Sequence, residues 1–94
     1  MQENPQRAER VVVISNVQGL HARPAMRFVD TASRFQSSVR VLKDSLAVDG
    51  KSPMEMMLLE AVKGTKLTLV AEGDDCGEAV EALARLVDSR FGEE

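Results

Sequence analysis

Ninety-four residues, 44% of them hydrophobic, suffice for one compact core and fall well short of the length at which chains divide into domains. A net charge of −3 and only three aromatic residues, Phe28, Phe35 and Phe91, argue against a nucleic-acid binder, which would need clustered cations and stacking platforms. One cysteine, Cys76, and one histidine, His21, can form neither an internal disulfide nor a structural zinc site, and no apolar run approaches the roughly 18 residues of a membrane span.

The opening MQENPQRAER is polar and lacks the apolar stretch and small-residue cleavage site of a secretory signal. Residues 1–8 are therefore expected to form a flexible polar arm and residues 9–92 a single domain, with a cytoplasmic location. RVVVISN is a β-branched run of strand length that closes before Gly19. Ala25, Phe28, Val29, Ala32 and Phe35 then recur at steps of three and four, which predicts an amphipathic helix over about 22–34. SSVRVLK and LAVDG read as two strands joined by a tight turn at KDS. KSPMEMMLLEAVKG reads as a short helix capped by Ser52, with Pro53 in its first position and Gly64 as its stop. TKLTLVAEG places Leu67, Leu69 and Ala71 on one side of a strand. The longest helix carries Cys76, Ala79, Val80, Leu83 and Val87 on its apolar face, with Asp75 and Glu78 spaced as a capping box and Gly92 beyond its end. The order βαββαβα predicts an α+β open-faced sandwich, a four-stranded antiparallel sheet with three helices on one face.

The lone histidine stands in GLHARPA, where Pro24 requires the helix to begin close by, because proline is tolerated only in the first turn. There the first N–H groups lack helical acceptors and the dipole is positive, so the helix end attracts anions. Arg23 adds a forked guanidinium suited to phosphate oxygens. A neutral imidazole near pH 7 is nucleophilic without an activating partner. The stretch can hold a phosphoryl group, but with no metal ligands and no nucleotide loop it cannot extract one from ATP. Judged by residue type alone, a lone histidine such as His21 is more often a capping or surface residue, and it is the spacing around it that favours the phosphoryl reading.

GLHARPA resembles the phosphorylated-histidine segment of the phosphocarrier protein HPr family of the phosphoenolpyruvate-dependent phosphotransferase system, keeping Gly19, Leu20, His21, Arg23 and Pro24 together. The resemblance extends over roughly residues 9–91 through GKSPMEMM, KGTKLTLVAEG and the final helix. It implies that His21 accepts a phosphoryl group on its δ nitrogen from an Enzyme I-type donor and passes it to an enzyme IIA-type acceptor. Arg23 and the backbone N–H groups of Ala22 and Arg23 would hold the phosphate, and no cofactor, metal, nucleic acid, membrane or second copy of the chain is implied. Ala22 fills the slot that is alanine or threonine in the family, and Gln18 replaces a residue that differs in relatives.

Ser52 occupies the position that a dedicated HPr kinase/phosphorylase phosphorylates in some members, although Pro53 and Glu55 depart from the pattern there and Glu55 would repel a phosphoserine. Among Met54, Met56 and Met57, helical spacing forbids all three from facing inward, and the resemblance places Met54 and Met57 on the docking surface beside His21. Cys76 belongs to a buried helix face. A carrier in sugar transport and a regulatory module, of the nitrogen-type branch or controlled through Ser52, both remain open at this stage.

Overall fold

The computed structural model describes residues 6–93. Four strands, β1 (Arg7–Val13), β2 (Ser38–Lys43), β3 (Leu46–Asp49) and β4 (Lys66–Glu72), form one antiparallel sheet in the order β1-β4-β2-β3. Three helices, α1 (Ala22–Ala32), α2 (Pro53–Met57) and α3 (Cys76–Asp88), complete the predicted βαββαβα order. β1 begins inside the expected arm: Arg7 pairs with Glu72 and Ala8 with Ala71, Gln6 before them donates its amide to Asp74 at 2.9 Å, and arm residues 1–5 lie outside the described residues.

Register explains why one face of the sheet is dry. Val12 lies opposite Leu67, while Leu69 is flanked by Arg10 and Val41, and Val41 pairs in turn with Val48. Because side chains alternate along each strand, these rows point the same way and meet the helices. Phe28, Val29 and Ala32 of α1 and Ala79, Leu83 and Val87 of α3 are buried against them, as the helical spacing predicts, and Cys76 is buried with them. The opposite rows face outward, with Val11 and Val13 exposed and Arg7 paired to Glu72 at 3.0 Å.

Two expectations about helix ends need correction. α2 stops at Met57, well before Gly64: the N–H groups of Leu58, Leu59 and Glu60 each bond to the carbonyl three residues back, and Glu60 turns to a φ of 47°. This tightening buries Leu59 and Ala61, which continued helical rotation would have had to carry past the core. Gly64 instead begins the approach to β4, its N–H donating to the Ile14 carbonyl at 2.7 Å. At α3, Asp75 is the N-cap residue but makes no capping bond. Its carboxylate accepts from the N–H groups of Gln36 and Ser37, both at 2.9 Å, and from the Ser37 hydroxyl at 2.5 Å, tying α3 to the α1–β2 connection. These bonds hold the Asp75 carboxyl below its ordinary pKa, the Ser37 hydroxyl contributing most and the Gln36 N–H next. Beyond Ser89, Arg90–Gly92 form a short 3₁₀ turn that buries Phe91.

Candidate functional site

The loop before α1 is pinned from both sides. Ile14 N–H donates to the Thr65 carbonyl at 2.9 Å and Leu20 N–H to the Ala61 carbonyl at 2.8 Å, and the Leu20 side chain is buried. Gly19 has a φ of 72°, and a Cβ there would lie 2.6 Å from the Ala61 carbonyl oxygen and 2.9 Å from Val62 Cα. Only glycine permits both the left-handed turn and this close approach. The α2–β4 connection thus sets where His21 stands.

His21 is the N-cap residue of α1 in extended conformation, and its side chain makes no capping bond. Its backbone carbonyl accepts from Ala25 N–H at 3.0 Å, while the N–H groups of Ala22 and Arg23 precede the first helical hydrogen bond and point out of the helix end. Pro24, the next residue, has no N–H to lose and is buried. Among the described residues Arg23 is exposed and makes no ion pair or hydrogen bond, so its guanidinium is available to an incoming anion. A shallow, solvent-open depression is lined by Val17, Gln18, His21, Ala22, Arg23 and Glu93. The structure brings together His21, Ala22 and Arg23, as the sequence predicts, and adds two residues that the sequence reading missed. Glu93 Oε1 lies 3.2 Å from His21 Nε2, and Asn16 Nδ2, on a fully buried residue, donates to the same carboxylate oxygen at 3.3 Å. Asn16 had one legible signal, a polar residue between the buried Ile14 and Leu20; Glu93 had none, being 72 residues from its partner.

An apolar patch adjoins the depression, lined by Ala22, Ala25, Met26, Pro53, Met54 and Met57, with Ala22 common to both. The three methionines of α2 divide as their spacing requires. Met56 is completely buried, whereas Met54 is 77% and Met57 42% exposed. Ser52 stands at the N-terminal end of α2, next to Pro53 of this patch, and its hydroxyl accepts from Glu55 N–H at 3.2 Å as a helix cap. The Glu55 carboxylate turns away to accept from Asp49 N–H at 2.9 Å. Among the described residues no cluster of His, Cys, Asp and Glu could hold a metal, and no helix is long and apolar enough to cross a membrane.

A half-exposed imidazole at an anion-attracting helix end, with an arginine beside it that is unengaged among the described residues and an apolar patch next to both, is suited to a small domain that meets an anionic group and a protein partner. The comparisons specify the class. The family model described as "PTS HPr component phosphorylation site" matches residues 8–89. Phosphocarrier protein HPr of Neisseria meningitidis serogroup A is 46% identical over 82 residues, covering 87% of this chain and 92% of that protein. Its counterpart in Pseudomonas aeruginosa is 47% identical over 83 residues, covering 87% of this chain and 92% of that protein. A crystal structure of HPr from Thermoanaerobacter tengcongensis superposes with a TM-score of 0.89 at 49% identity, covering 93% of this chain and 98% of that one. The chain belongs to the HPr family of phosphocarrier proteins of the phosphotransferase system.

Proposed function

We propose that His21 is the residue that carries the phosphoryl group, taking it on Nδ1 from a phosphoenolpyruvate-dependent Enzyme I-type donor and yielding it to enzyme IIA-type acceptors. One observation carries this reading: the only imidazole of the chain stands half-exposed at the N-terminus of α1 beside an Arg23 that is unpaired among the described residues. Arg23 and the N–H groups of Ala22 and Arg23 supply the positioning and charge that dominate phosphoryl transfer. Met54 and Met57 form the contact surface for both partners, a role that suits flexible, polarisable side chains. A multiphosphoryl transfer protein of Haemophilus influenzae is 39% identical over 88 residues, and the match spans only 18% of that protein, in keeping with a domain of this kind working beside other transfer proteins. The carrier acts as a monomer in the cytoplasm and needs no cofactor.

A regulatory role for Ser52 draws on its place in the KS pair, the position that is phosphorylated in some members of the family. A kinase would have to release the Ser52 hydroxyl from Glu55 N–H, though the helix end that receives a serine oxygen also receives a phosphate. Incubation with an Enzyme I and phosphoenolpyruvate tests the carrier reading: rapid, acid-labile labelling supports it, and a chain that binds partners without becoming labelled supports the regulatory module instead.

A further inference from the structure

The C-terminal turn delivers to His21 a carboxylate, that of Glu93, which has no part in binding the phosphoryl group through Arg23 and the helix N–H groups. After α3, Arg90, Phe91 and Gly92 take φ values of 61°, 55° and 75°, a left-handed run that is costly for the two non-glycine residues. Buried Phe91 anchors the run, Arg27 Nη1 donates to the Phe91 carbonyl at 3.0 Å, and Glu93 N–H donates to the Arg90 carbonyl at 2.8 Å. The turn holds Glu93 with its side chain only 21% exposed, against His21 Nε2. Asn16 fixes the same carboxylate while donating to the Gly19 carbonyl at 2.7 Å, so the loop and the tail are joined at one amide. Glu93 lies beyond residues 8–89, the segment matched by the family model.

We propose that Glu93 is a positioning residue for phosphoryl transfer, holding the proton of His21 on Nε2 and stabilising the charge that the ring gains when Nδ1 is phosphorylated. The proposal rests on the assignment of His21 as the acceptor. A carboxylate accepts and does not donate, so the contact selects the tautomer with Nε2–H and leaves the lone pair on Nδ1. That pair forms the new N–P bond, while the bond from phosphorus to the donor breaks and its electrons return to the donor. The imidazole, its proton still on Nε2, becomes cationic, and the positive charge faces a fixed carboxylate oxygen 3.2 Å away. Passing the group on reverses the flow: the N–P electrons return to Nδ1 and the proton has never left Nε2.

Transfer kinetics with an Enzyme I and phosphoenolpyruvate, together with imidazole ¹⁵N NMR of the unphosphorylated full chain, test this on wild type, Glu93→Ala and Glu93→Gln. Glu93→Ala is expected to lower kcat about tenfold, equivalent to roughly 1.4 kcal/mol of transition-state stabilisation, with KM for the carrier unchanged. Its Nε2–H signal should exchange faster with solvent than that of wild type, where the 3.2 Å contact is expected to protect it. Glu93→Gln keeps the shape and an acceptor without the charge, so it should fall between the two even if the alanine variant loosens the turn. Wild-type kinetics in both variants would overturn the role of Glu93 alone. A wild-type chain that is not labelled on His21 would instead overturn the acceptor assignment, and the proposal with it.

Discussion

His21 gains its accessibility from residues that do no chemistry. Gly19 lets the loop press against Ala61 and Val62, Leu20 plugs the core beneath, and Pro24 obliges the helix to start where the imidazole is. Among the described residues Arg23 has no partner to leave, so its reorganisation on meeting a phosphoryl group is small. Arg23→Lys keeps the charge and loses the rigid fork. Transfer from phosphorylated Enzyme I should slow, by about tenfold for each 1.4 kcal/mol of lost stabilisation, while the thermal midpoint stays unchanged because the side chain is exposed and makes no hydrogen bond or ion pair among the described residues. Stopped-flow transfer rates and a melting curve on the same variant check both halves.

Among the elements, α2 separates packing from recognition within a single turn. Met56→Ala should cost about 2–5 kcal/mol in urea unfolding, since a completely buried side chain leaves a cavity. Met54→Ala should stay within about 0.5 kcal/mol of wild type and weaken partner association instead. The reverse pattern would mean that the orientation of α2 is wrong. The period-two strands, α1 and the apolar face of α3 were legible because each is set by local alternation of burial. The end of α2 was not: MLLEAVKG continues a helical pattern up to a plausible glycine stop, and only the need to bury both Leu59 and Ala61 turns the chain early. Asp75 was misread for a related reason, since a capping box is a local signature and its actual partners, Gln36 and Ser37, belong to another connection. In the site, the contiguous HARP stretch was readable, whereas Glu93 depends on a tertiary turn that no spacing announces.

For the whole molecule, the Asp75 contacts join α3 to the connection between α1 and β2, and they give stability a pH dependence of definite sign. The folded-state pKa of Asp75 is lowered from 3.8, so its contribution is fully present above that value and is lost as pH falls through the folded pKa. Wild type should therefore lose stability below about pH 4 more steeply than Asp75→Asn, with the two curves converging in acid. Parallel curves from chemical denaturation across that range would show that the carboxylate is not held by these bonds.

The central claim, that the phosphoryl group travels on His21, is tested most directly by mass spectrometry of the wild-type chain and His21→Ala after incubation with an Enzyme I and phosphoenolpyruvate, with matching circular dichroism spectra to show that both are folded. The account predicts one acid-labile phosphoryl group on the wild type, mapped to His21, and none on the variant, whose fold persists because the half-exposed imidazole contributes little to the core. Acid-labile phosphate persisting on a folded His21→Ala chain, or a wild type that stays unlabelled, would contradict it.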